Sequence, residues 1–219
     1  MLHQLKKLSK AKGSMGPLIL KSIILISLMT SFPVLGSPRI LIIGDSLTEG
    51  YGVSPQEAYP VKLEKIIRSS QLKKATVVNA GTSGATSAFG LRTLKFQAKH
   101  KIPDLLILAL GANDALRGIS TKETQKNLDL TISFAKSKKI KTILVGMLAP
   151  PNYGIKFPKE FAAIYEALSK KHNIPLVPFL LTGVAGNPDL NLPDGIHPNE
   201  KGYDVVAQHV WNSIKEHLQ

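Results

Sequence analysis

Five short, nearly continuous apolar runs constrain this chain more than any other feature: RILIIG from Arg39, ATVVNA from Ala75, DLLILAL from Asp104, KTILVGML from Lys141 and IPLVPFL from Ile174. Strands buried on both faces read this way, because neither face needs to alternate with water. Amphipathic stretches lie between them. In residues 58–70, Tyr59, Leu63, Ile66 and Ile67 recur at spacings of three and four, while Lys62, Lys65 and Arg68 fall outside that face. Similar periods run through residues 87–100, 122–138, 158–172 and 200–217. There is no internal repeat, low-complexity tract or dividing linker. The rhythm predicts one α/β domain over residues 37–219, a mostly parallel sheet in a three-layer α/β/α arrangement.

Residues 1–36 read differently. Lys6, Lys7, Lys10, Lys12 and Lys21 come with no acidic residue, then SIILISLMTSFPVLG is uncharged and mostly apolar, with Val34 and Gly36 as small residues before Ser37. This is the pattern of a secretory signal peptide cleaved near Gly36, and the uncharged run is shorter than the ~20 residues a spanning helix needs. The expected product is exported, periplasmic or secreted. Removing the five leader lysines leaves 23 of 28 basic residues against all 15 acidic ones, a net charge of +8. The lysines are scattered over helix faces without interleaved aromatics, which argues against nucleic acid and allows weak attraction to an anionic membrane surface. The absence of cysteine excludes disulfides and thiolate metal sites.

In open parallel sheets, ligands sit beyond the carboxyl ends of the strands. Four loops there carry unusual polar content. GDSLTEG presents Ser46 directly after the first run; it lacks G-x-S-x-G, so the ordinary α/β-hydrolase elbow does not fit. NAGTSGATS offers Gly81 and Gly84, whose backbone N–H groups suit an anion, though a plain turn fits that segment equally. LGAND presents Asn113, a neutral donor suited to a developing oxyanion, or again a turn. LPDGIHPNEKGY puts Asp194 three residues before His197. A serine nucleophile needs a base, usually histidine, and that histidine an orienting carboxylate.

Elimination favours His197 as the base such a serine would need over a merely structural imidazole. His3 lies in the leader, His100 and His172 end helices that lead into strands at the opposite edge of the sheet, and His209 and His217 stand far along the last helix. No H-E-x-x-H motif or second histidine near His197 supports a metal, and no cofactor is expected.

Taken in order, GDSL with Ser46, GTSG with Gly84, GAND with Asn113 and DGIH with Asp194 and His197 resemble the four blocks of the GDSL esterases and lipases, the SGNH hydrolase superfamily. The likeness spans the chain from Arg39 to the last helix. It is greatest to the exported bacterial thioesterase, lysophospholipase and arylesterase group, with GANDALRG, APPNYG and IPLVPF adding to it. The resemblance implies a flavodoxin-like five-stranded parallel sheet and a catalytic Ser46–His197–Asp194 set. It also implies an oxyanion hole of the Ser46 and Gly84 N–H groups and the Asn113 amide. The expected substrate is a small-molecule or lipid ester and the expected state a monomer. Leu116, Ile119, Pro151, Tyr153 and Phe157 are the residues expected to wall the acyl or aryl group. Carbohydrate O-deacetylation and a non-catalytic, lipid-binding envelope protein stand as alternatives.

Overall fold

In the computed structural model, which describes residues 37–70 and 75–218, the apolar runs pair into one parallel sheet. The strands are β1 (Arg39–Gly44), β2 (Thr76–Gly81), β3 (Leu105–Ala109), β4 (Lys141–Val145) and β5 (Leu176–Val177), ordered β2-β1-β3-β4-β5. β1 is paired on both sides, with Ile42 aligned to Asn79 of β2 and to Ile107 of β3, the middle strand. Ile40, Leu41, Ile42, Ile43, Leu106, Ile107 and Leu108 are all buried, as runs without alternation require. The leader and its cleavage point near Gly36 lie outside the described residues.

Among the described residues seven α-helices follow in chain order: α1 (Ser46–Glu49), α2 (Tyr59–Ser69), α3 (Phe89–His100), α4 (Ala112–Leu116), α5 (Thr121–Ser137), α6 (Lys156–His172) and α7 (Glu200–Ile214). α2 packs against α7 in one layer, and α3, α5 and α6 pack side by side in another. Among the described residues no helix is long and apolar enough to cross a membrane.

Three local features depart from the sequence pattern. The last apolar run pairs over only two residues, because Pro175 and Pro178 bracket them and neither has an N–H to give to a ladder. The loops holding Ser46 and Asn113 contain the short helices α1 and α4. Lys62, which the period places outside the apolar face of α2, is buried. Its ammonium lies 2.6 Å from Glu57 and 2.5 Å from Asp204 of α7. Burial alone would lower its pKa, but the hydrogen bonds to the two carboxylates outweigh that and raise it.

Candidate active site

β1 ends at Gly44, where any side chain would collide with Thr48 one turn into α1. The chain therefore turns directly from strand to helix. Asp45 caps that helix, its Oδ1 accepting from the Leu47 N–H at 3.0 Å, and Ser46 is the first helical residue. A first-turn N–H has no intrahelical acceptor, so the Ser46 backbone N–H is free to serve a ligand. Gly50 ends the turn at φ 92°, a left-handed conformation costly for other residues.

The histidine arrives on the loop before α7. The loop is pinned by the Leu192 N–H on the His197 carbonyl at 2.8 Å and by buried Asn191, whose amide donates to the Val184 and Asn187 carbonyls. Asp194 Oδ1 accepts the Ile196 and His197 backbone N–H groups, each at 3.0 Å, and Oδ2 lies 2.7 Å from His197 Nδ1. Slight burial works against ionisation of Asp194. The hydrogen bonds from the imidazole and the two amides outweigh it and hold the carboxyl below its usual range. An ionised carboxylate only accepts, so Nδ1 carries the proton and Nε2 is left as an acceptor. Nε2 stands 2.9 Å from Ser46 Oγ, 151 residues away in sequence. The Tyr51 ring leans on the imidazole with centroids 4.7 Å apart.

Two further donors face the same cleft. Gly84 sits at φ 76° on the β2–α3 loop, and its N–H has no protein acceptor among the described residues. Asn113 Nδ2 gives one hydrogen to the Ala85 carbonyl at 3.1 Å, which leaves its second hydrogen for the cleft it lines. The structure thus gathers Ser46, Gly84, Asn113 and His197 around one cleft, with Asp194 behind the imidazole. Three other histidines are engaged elsewhere: His172 with Asp129 at 2.6 Å, His209 with the Phe179 carbonyl at 3.0 Å, and His100 edge-on to Phe96.

The apolar wall differs from the sequence expectation. Of the five residues expected there, Leu116 lines the cleft and Ile119, Tyr153 and Phe157 do not. Tyr153 instead donates to the Leu116 carbonyl at 2.9 Å, and Phe157 continues a ring ladder from Tyr153 to Phe161 in the core. The side chain of Pro151 lies outside the described residues. The wall includes Leu116, Met147, Leu148, Phe179, Leu181 and Ile196. Met147 and Leu148 follow β4 after Gly146, and Phe179 follows β5 after Pro178, so the carboxyl-end rule that located the polar residues was also the signal for these.

Known proteins share this architecture. A model of the GDSL-like lipase/acylhydrolase family matches residues 42–205. Thioesterase 1/protease 1/lysophospholipase L1 of Escherichia coli K12 is 35% identical over 82% of this chain and 84% of its own length. An arylesterase of Vibrio mimicus is 33% identical over 83% and 90%. The crystal structure of AlinE4, an SGNH-hydrolase family esterase, superposes with a TM-score of 0.70 at 42% identity, covering 84% of this chain and 97% of that one.

Proposed function

The chain belongs to the GDSL-like lipase/acylhydrolase family, and from that premise we propose that it is an exported serine esterase of acyl and aryl carboxylic esters, acyl thioesters and lysophospholipids lying within the same chemistry. The observation that carries this reading is the hydrogen-bonded relay from Ser46 Oγ through His197 to Asp194, at 2.9 and 2.7 Å, opening on an apolar cleft. Ser46 Oγ attacks the ester carbonyl carbon as its proton passes to His197 Nε2. The oxyanion takes hydrogen bonds from the Ser46 and Gly84 N–H groups and from Asn113 Nδ2. His197 then protonates the departing alcohol or thiol, leaving an acyl-Ser46 ester. Water, deprotonated by His197, attacks that ester and releases the acid, and the proton returns to Ser46. Asp194 holds the imidazole in the required tautomer throughout.

Substrate class follows from the wall. Leu116, Met147, Leu148 and Phe179 favour an acyl or aryl group over a polar sugar. Tyr51, Leu116, Leu148 and Ile196, all exposed large apolar residues, line the same cleft and suit a lipid ester approaching from a membrane surface.

A p-nitrophenyl ester series from acetyl to long acyl tests the reading. The rate should fall by roughly 10⁴-fold or more in Ser46→Ala, because the three groups act as a unit. Wild-type turnover in that variant would sink the serine mechanism, and an acetyl-only optimum would point to deacetylation instead. Export is tested separately by N-terminal sequencing, expected to begin at Ser37; a start at Met1 would reject cleavage.

A further inference from the structure

Asp114 neighbours the candidate oxyanion donor Asn113 but points away from the cleft, fully buried beneath it. Its Oδ2 accepts the Ser87 N–H at 2.7 Å, and its Oδ1 accepts the Ser87 hydroxyl at 2.5 Å and the Thr124 hydroxyl at 3.2 Å. Asn127 Nδ2 donates to the Ser87 Oγ at 3.1 Å. Ser87 is three residues beyond Gly84 on the loop that supplies the other donor. A second link joins the loops above, where Asn113 Nδ2 donates to the Ala85 carbonyl. Two oxyanion donors on separate strand-end loops are therefore tied at two levels, once at the cleft floor and once through a buried carboxyl.

We propose that Asp114 is a positioning residue that sets the distance between the Gly84 N–H and the Asn113 amide through its paired bonds to Ser87. This deepens the esterase reading and rests on it. Oxyanion stabilisation depends on where donors sit relative to the developing charge, and loops after different strands share no covalent restraint that would hold that spacing. The Thr124 bond belongs to the same carboxyl but runs to α5, away from both donors.

That asymmetry supplies the test: kcat and KM on p-nitrophenyl butyrate, with melting temperatures, for Ser46→Ala, Asn113→Ala, Asp114→Asn, Ser87→Ala, Thr124→Val and the Asn113→Ala/Ser87→Ala pair. Asp114→Asn and Ser87→Ala should lower kcat by about 10- to 100-fold, a fraction of the ~10²–10³-fold due to one whole donor, with KM within about threefold. Thr124→Val should lower the melting temperature while kcat stays within about twofold. On the Asn113→Ala background, Ser87→Ala should cost at least about threefold less than it does alone, since groups acting through one another are not additive. Equal kcat losses in Ser87→Ala and Thr124→Val, or strict additivity in the pair, would overturn the inference and reduce Asp114 to a stability role. Wild-type kcat in Ser87→Ala with Asn113→Ala strongly impaired would overturn the inference alone. Wild-type kcat in Ser46→Ala or Asn113→Ala would overturn the underlying catalytic reading as well.

Discussion

Asp45 and Asp114 occupy matching places under the two halves of the candidate site, beside Ser46 and Asn113 and each fully buried, yet their surroundings differ. Asp114 accepts three hydrogen bonds that use both oxygens. Asp45 uses Oδ1 to cap α1, while Oδ2 has no hydrogen-bond partner among the described residues. Burial accordingly pushes the Asp45 carboxyl up to about 6, against the pull of its backbone hydrogen bonds and the nearby His197. The lesson is that a buried acid beside a candidate site residue can be a well-satisfied brace or a destabilised one. Hydrogen-bond partners decide which.

The sharpest way to break the contrast is truncation. Asp114→Ala strands the Ser87 N–H and the Ser87 hydroxyl proton in the interior, while the Thr124 hydroxyl keeps the Ser120 carbonyl at 3.2 Å. It should cost about 3–5 kcal/mol. A chain of this size then melts roughly 10 °C lower, at ~2–4 °C per kcal/mol. A loss under about 1 kcal/mol would show that the brace is dispensable.

Asp45→Asn should move stability the other way. The amide resembles the protonated acid and keeps the cap on Leu47. With the native pKa raised from 3.8 to about 6, Asp45 is protonated in both folded and unfolded chains below about pH 4, and no penalty exists there. As pH rises from about 4 to 6 the unfolded chain ionises while the folded protein keeps its proton, so wild-type stability falls over that range and levels off above about 6. At ~1.4 kcal/mol per unit, the variant should be more stable by on the order of 3 kcal/mol at pH 7.5, with the gain vanishing near pH 4. Urea unfolding at the two pH values measures this directly, and a gain independent of pH would remove titration of Asp45 as its cause.

A smaller effect sharpens the comparison on the Asp45 side. Tyr59 OH lies 3.1 Å from Thr48 Oγ1 in the buried layer below α1. Tyr59→Phe should cost about 1 kcal/mol, the net value of one buried hydrogen bond. It should leave the pH dependence seen with Asp45→Asn in place, which the same unfolding experiment would report.

Much of the fold was readable because its rules are local or periodic. The four longer strands occupy the apolar runs that signal them, and α2, α3, α5, α6 and α7 lie within a few residues of their amphipathic periods. The pairing of Asp194 with His197 was legible too, since three residues on one turn bring the side chains within reach. Lys62 was not: its partner Asp204 is 142 residues away, and nothing in the α2 pattern announces a buried ion pair. The cleft wall was legible only in part: APPNYG and ALRGIS lie at the correct edge of the sheet and Leu116 lines the cleft, but the direction each side chain takes depends on packing. Tyr153 turned out to brace the Leu116 carbonyl rather than to face the cleft.

By itself the amino-acid sequence determined the parallel sheet, the edge at which chemistry gathers, and the residue types that meet there, because hydrophobic periodicity and turn chemistry act over a few neighbouring residues. Only the tertiary structure decided that Ser46 Oγ meets His197 Nε2 at 2.9 Å, that Asp114 is satisfied and Asp45 is not, and which apolar side chains face the cleft. Those distances join residues far apart in the chain, and close packing of the whole molecule sets them.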